Sequence, residues 1–451
     1  MNTPNRKTLV AVFFLIAGLA VEAAVAPATP AAPVAPSEWI DPATGHVIVR
    51  LSKEPGTASM YFHQNGYTPD GKKLLIFTPK GMATVDLAPP HAIDLLVPGF
   101  RPLSMGMSNG IEVSRKEPVV YYNQNMDGQN TVIAMNMETH VWTKAAVLPA
   151  GATLGGITPD DKVIMGIRNV AGGKQIYTVD IKTGETKSFF PSDDGLSHDN
   201  LNHFETSPTD PNLMLFAHEG NWAQMERIWT MHADGTGLKL MHQRTMQNEI
   251  AGHEFFSRDG KWVYYDLQTP ESGVFWIGGA NVATGEHIRY PILRSEWSVH
   301  FYVSWDGKRF LGDGGGPNSV ANRDPVTNAH FNPPQNGQWM YLFTPTGEYT
   351  TMDVNGEKVK VGKVTTEKLA DMSKHDYGNG ESSRVEPNGT FTPDDKWIVF
   401  RSNMEGALHV YEVEVAKATP DETKRITAEW AAYKAAGGQP DGPKAAASAT
   451  P

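Results

Sequence analysis

A turn that recurs with nearly constant spacing limits what this chain can fold into. Turns built on aspartate, each followed by a short apolar run, occur at Asp70, Asp160, Asp210, Asp259, Asp306 and Asp394. The spacings from Asp160 through Asp210 and Asp259 to Asp306 are 50, 49 and 47 residues. A repeat of 40–50 residues with short strands predicts β-propeller blades, each needing its neighbours to bury both faces. The 90-residue interval from Asp70 to Asp160 leaves room for a degenerate blade whose strand is 119–122. The 88-residue interval from Asp306 to Asp394 suits a loop insertion at 332–336 before a strand at 339–343. The expectation is an all-β, seven-bladed β-propeller, with eight blades as the second choice.

The phase of the repeat points to a site. Each turn opens with Ser or Thr: Thr68, Thr158, Ser207, Ser257, Ser304 and Thr392. Four residues earlier stand Gln64, Leu154, His203, His253, His300 and Asn388. Strand alternation sends equivalent positions toward one axis, so three imidazoles from consecutive blades are expected to converge. One strand histidine is usually a satisfied core residue; three in phase favour a site that holds a divalent metal or supplies a general base. Polar clusters also end successive second strands, His218 and Glu219 among them. Arg227, Arg244 and Arg401 are candidate partners for a carboxylate, because a guanidinium binds one bidentately.

The flanks read differently. Arg6 and Lys7 precede an apolar run at 9–21 and small residues at 23–26, so residues 1–24 read as a signal peptide and the protein as periplasmic or secreted. Residues 25–37 form an Ala/Pro linker, 38–417 the propeller, and 418–451 a helix near 422–436 followed by a polar tail. There is no cysteine, hence no disulfide and no thiol chemistry. A net charge of −11 argues against nucleic acid as a partner. No stable membrane association is expected once the signal is cleaved, and the protein is expected to be a monomer.

Several separated segments carry a family resemblance: 203–210, 218–220, 227–229, 244–246, 249–255, 265–269, 296–301 and 312–315. In order and spacing they resemble oligogalacturonate lyases, seven-bladed propellers of polysaccharide lyase type, over roughly residues 50–417. The resemblance implies β-elimination on short α-1,4-linked galacturonides or a related uronate-containing oligosaccharide. It implies a catalytic histidine, here His253, with an assisting arginine, here Arg227. It also implies a divalent metal, first Mn and otherwise Ca, Mg or Zn, held by His300 and by a Gln-x-x-His-Pro-His motif. That motif is altered: Ser383, Glu386, Pro387 and Asn388 stand in its place, making Glu386 and Asn388 oxygen-donor candidates. His203, Arg244, His218 and Gln64 are left to bind substrate.

Three other readings compete. A TolB-like propeller or a glycan-binding scaffold would need no histidines in phase. A glycoside hydrolase needs two opposed carboxylic acids; Glu219, Glu254 and Asp313 are available, but phase selects no pair. Gly106, Ser108 and Gly110 match a hydrolase nucleophile pattern, yet no α/β-hydrolase domain accompanies them.

Overall fold

The turns are held together by the chemistry that the repeat suggests. In the computed structural model, which describes residues 33–102, 110–191, 200–378 and 385–438, the hydroxyls of Thr68, Thr158, Ser257, Ser304 and Thr392 each donate to the aspartate two residues on. These bonds span 2.7–2.8 Å and close each hairpin between a first and a second strand. Ser207 differs: its hydroxyl oxygen accepts from the Thr209 and Asp210 N–H groups instead. The signal-peptide segment, the linker up to residue 32, Ser108 and its motif, Ser383, and the tail after 438 lie outside the described residues.

The architecture is an all-β propeller. Four antiparallel sheets of four strands follow one another along the chain, from Ala58–Ser59 to Ile93–Pro98, Ile111–Val113 to Trp142–Val147, Ala152–Ile157 to Thr186–Phe189, and Leu201–Thr206 to Lys239–Leu240. The second of these has Ser114 where the other turns have Ser or Thr, but no aspartate follows two residues on; its hydroxyl caps the N–H groups of Lys116 and Glu117. Next comes an eight-stranded sheet. It consists of two four-stranded meanders, Ile250–Phe256 to His287–Ile292 and Phe301–Val303 to Glu357–Asp371, joined by a parallel contact pairing Ile288 with Lys360. The extra length before Asp394 is therefore a loop plus a long hairpin, Trp339–Val354 with Glu357–Asp371.

The last sheet closes the ring. Thr390–Phe391, Trp397–Ser402 and His409–Lys417 are completed by two strands from the other end of the chain, His46–Arg50 and Glu38–Ile40. Ile48 pairs with Val413 there and is 1% exposed. A helix, Pro420–Ala435, packs outside this closure; Thr419 caps it reciprocally with Glu422, and Ile426 and Tyr433 are its buried residues. Between the two meanders of the eight-stranded sheet lies an apolar layer of Phe255, Tyr264, Tyr290 and Phe310. Because two distant segments share one sheet, apolar burial at the closure restrains the whole ring. Ile48→Ala is expected to lower the unfolding free energy by about 2–5 kcal/mol, measured by urea denaturation.

Candidate active site

Two of the in-phase histidines sit on irregularities that aim them. The ladder slips between Asn202 and Glu205 and between Gly252 and Phe255. In these bulges His203 and His253 take φ of 50° and 49°, and the in-phase Asn388 takes 50°. Left-handed backbone is tolerated best by Asn, Asp and His among side-chain-bearing residues, and it costs about 1–3 kcal/mol. A bulge turns a side chain out of the strand alternation, and here the histidines meet around an aromatic plug. Phe62 lies 4.5 Å from the His300 ring, 5.2 Å from His63, 6.0 Å from His203 and 6.5 Å from His253. The His253 and His300 rings are 4.8 Å apart. Tyr61 sets its edge against His63, His203 and His300.

His253 differs from its two equivalents in access. His300 is 0% and His203 7% exposed, whereas His253 is only half-buried. Arg227, 2% exposed, reaches the residue that follows His253, with Nε at 3.3 Å from Glu254, and pairs through Nη1 with Glu219 at 2.5 Å. Burial opposes the charge of Arg227, but Glu254 and Glu219 outweigh it and hold the guanidinium more firmly protonated than usual. Burial likewise pushes the Glu254 carboxyl up; Arg227 and His203, whose Nδ1 is 3.2 Å away, prevail and bring it down to about 2. His218 is buried at its strand end, its N–H donating to the Arg227 carbonyl at 2.8 Å.

On the opposite side, His300 Nδ1 binds Asp313 at 2.8 Å, and Asp313 also accepts the His300 and Asn388 N–H groups. This fixes the tautomer, with Nδ1 as donor and the Nε2 lone pair turned away from Asp313. Nε2 is buried without a hydrogen bond and faces Glu386 Oε2 at 3.6 Å. An imidazole with a carboxylate behind it and a second carboxylate in front fits two donors of a divalent cation. Asn388 does not add a third as it stands: its Oδ1 accepts the Phe62 N–H at 3.2 Å and its amide donates to the Glu386 carbonyl at 3.1 Å. Among the described residues no cluster of three or more His, Asp or Glu side chains could hold a metal ion. Arg401, buried behind Glu386, donates to the Glu386 and Ser59 carbonyls, and burial lowers its pKa to about 10.

Other expected residues are placed elsewhere. Arg244 is committed to the loop at 221–226, donating to the Ala223 carbonyl and lying 3.8 Å from Glu226. Gln64 turns to the next sheet, toward the Ile111 carbonyl, and lines a small cleft with His63, Arg115 and Glu205. In that cleft burial pushes Glu205 up to about 8 and lowers His63. His375, a buried histidine outside the repeat phase, is held by Ser402 and the Val385 carbonyl. Tyr61, Phe62, His63 and Trp222 are parts of the site that the repeat phase does not select; adjacency to Gln64 is the one available signal, for His63.

Because Glu254 is depressed below its ordinary 4.5, its contribution to stability is complete above about pH 4.5 and is lost as pH falls through about 2. Glu254→Gln is expected to destabilise the fold by about 3–5 kcal/mol by unbalancing a buried cation. It should also flatten the acid limb of the stability curve between pH 4.5 and 2, followed by denaturant unfolding at successive pH values.

The sequence profile of the oligogalacturonate lyase family matches residues 172–419. An oligogalacturonide lyase of Pectobacterium atrosepticum is 23% identical over 246 residues, 53% of this chain and 55% of the relative. An oligogalacturonate lyase of Dickeya dadantii is 23% identical over 242 residues, with the same shares covered. The chain thus spans about half the length of the curated relatives it matches. Two solved structures share the fold: an oligogalacturonate lyase in complex with manganese, with TM-score 0.65, 22% identity and coverage of 85% of this chain and 97% of that one, and an oligogalacturonate lyase from Vibrio parahaemolyticus, with TM-score 0.65, 20% identity and coverage of 84% and 96%. With the family profile matched over more than half of its length, the chain belongs to the oligogalacturonate lyase family.

Proposed function

We propose that this protein is a lyase that cleaves α-1,4-linked galacturonides, or a closely related uronate-containing oligosaccharide, by β-elimination. We further propose that the eight-stranded sheet is two blades, which makes the propeller seven-bladed, and that the run at 9–21 directs the protein out of the cytoplasm. The observation that carries the reading is that, in a member of this family, the most exposed in-phase imidazole, His253, directly precedes Glu254, which pairs with the firmly charged Arg227.

The chemistry needs both. Elimination removes the proton on C5 of a uronate, the C4–O bond breaks as the C4–C5 double bond forms, and the departing oxygen takes up a proton to leave as a hydroxyl. The C5 proton is weakly acidic until the adjacent carboxylate is neutralised. Arg227, held charged by two carboxylates, meets that need with little reorganisation. His253 is the base that takes the C5 proton, being the most exposed of the three in-phase histidines. His203, fixed by Glu254, and His218 beside Arg227 border the substrate. His300 and Glu386 are the residues that would hold a divalent cation, Mn first, which when bound supplies further neutralisation of the uronate carboxylate.

Mixing the protein with oligogalacturonides should raise the ultraviolet absorbance of C4–C5 unsaturated uronates. His253→Ala should lower turnover by about 10²–10⁴-fold and Arg227→Lys by about 10²–10³-fold. Full activity in His253→Ala would overturn the assignment of the base. A rate abolished by EDTA and restored by Mn²⁺ would support His300 and Glu386 as ligands. A rate indifferent to EDTA would leave the carboxylate to Arg227.

A further inference from the structure

Trp222 touches both groups assigned to the chemistry. It lies on the loop between the strands Leu213–His218 and Ile228–His232. The Arg227 guanidinium sits over its ring, 4.0 Å from the centroid. Its Nε1 donates to Glu219 Oε2 at 2.9 Å, the same oxygen that pairs with Arg227. Its edge meets the His253 ring at 5.2 Å and 75°.

The seat of this indole is Gly252, the residue before His253. Gly252 does not have a positive φ, so its backbone does not require glycine. Space does: a Cβ there would lie 2.5 Å from Cζ3 and 2.9 Å from Cε3 of Trp222. Arg244 braces the far side of the loop, its Nη1 donating to the Ala223 carbonyl at 2.5 Å and its N–H to Glu226 at 3.0 Å. The indole is thus clamped between a strand that carries His253 and a loop that leads into Arg227.

We propose that Trp222 is a positioning residue of the elimination, setting Arg227 and His253 relative to each other, with Gly252 as its seat. The inference rests on the lyase reading above. A displacement of about 1 Å in such a pair costs about 10²-fold in rate. Arg244, in this arrangement, acts on the substrate only through the loop.

The test is a double-mutant cycle on kcat and KM with oligogalacturonides, using Gly252→Ala, Trp222→Phe and the pair together. Circular dichroism and thermal midpoints show how much of each variant is folded. Gly252→Ala should lose about 10²-fold in kcat with KM little changed. Trp222→Phe should lose less, because a ring remains under Arg227. The pair should be more active than Gly252→Ala alone, since phenylalanine lacks the benzo ring that the new methyl strikes. Losses that simply multiply would overturn the proposal, and so would a rise in KM with kcat unchanged, which is the mark of a sugar-stacking surface. If the unmutated protein produces no unsaturated uronate, the lyase reading fails. The positioning role in an elimination falls with it, whereas an active unmutated protein whose losses multiply overturns the positioning role alone.

Discussion

Carboxylates and amides near the axis, each reaching from one sheet to the next, hold the site in register. Glu254 crosses to Arg227 and His203 in the preceding sheet. Glu205 crosses the other way to the Phe256 N–H at 3.2 Å. Asp313 accepts the Asn388 N–H, Asn388 accepts the Phe62 N–H, and the Tyr302 hydroxyl reaches the His63 carbonyl. A propeller's sheets otherwise meet through non-directional apolar contact, which tolerates small sliding. Directional bonds between buried partners remove that freedom, since a slip would leave charges and N–H groups unpaired at a cost of several kcal/mol each. The same groups hold the imidazoles, so register and site geometry are one constraint.

The bulges show how the site is built against local preference. His203, His253 and Asn388 occupy the same position of their repeats and the same left-handed conformation, near 50°. In each bulge the extra residue breaks the strand alternation at the imidazole, while an apolar residue close after it, Phe204 one position on and Phe255 two positions on, is buried in an apolar cluster. The strain is borne by a ring closed through His46–Arg50 and His409–Lys417, whose cooperative packing outweighs a few unfavourable dihedrals.

The turns and their phase were legible because they rest on local chemistry. A hydroxyl and an aspartate two residues apart make their bond wherever a hairpin needs it, so spacing alone revealed the blades and brought His203, His253 and His300 to notice. The strand-ordering detail was not legible: the parallel contact of Ile288 with Lys360 depends on how far the hairpin at 339–371 extends, which no periodic signal encodes. Nor was the Tyr61–His63 plug, which follows a two-residue strand, Ala58–Ser59, and enters the axis out of phase by up to three residues. Trp222 lay in a loop, where no repeat applies. The charge of Arg244 is read from its residue type, but its bond to the Ala223 carbonyl exists only in the fold.

The altered ligand motif can be read in the same terms. Where the family resemblance leads one to expect histidines, Glu386 and Asn388 divide two tasks. Asn388 takes the left-handed backbone and reaches two other sheets, its backbone N–H donating to Asp313 and its Oδ1 accepting the Phe62 N–H, from a side chain short enough to stay wholly buried. That arrangement ties its amide to the Glu386 carbonyl, on the residue whose side-chain carboxylate stands opposite His300 Nε2. Exchanging imidazoles for a carboxylate moves the donor set from nitrogen toward oxygen, which favours hard cations of the Mn, Mg and Ca kind over Zn. On the lyase reading proposed above, it also adds negative charge where a uronate carboxylate would approach. On that reading, without a cation between His300 and Glu386 this charge would oppose the substrate, and Arg227 and Arg401, both buried, are cations left to offset it.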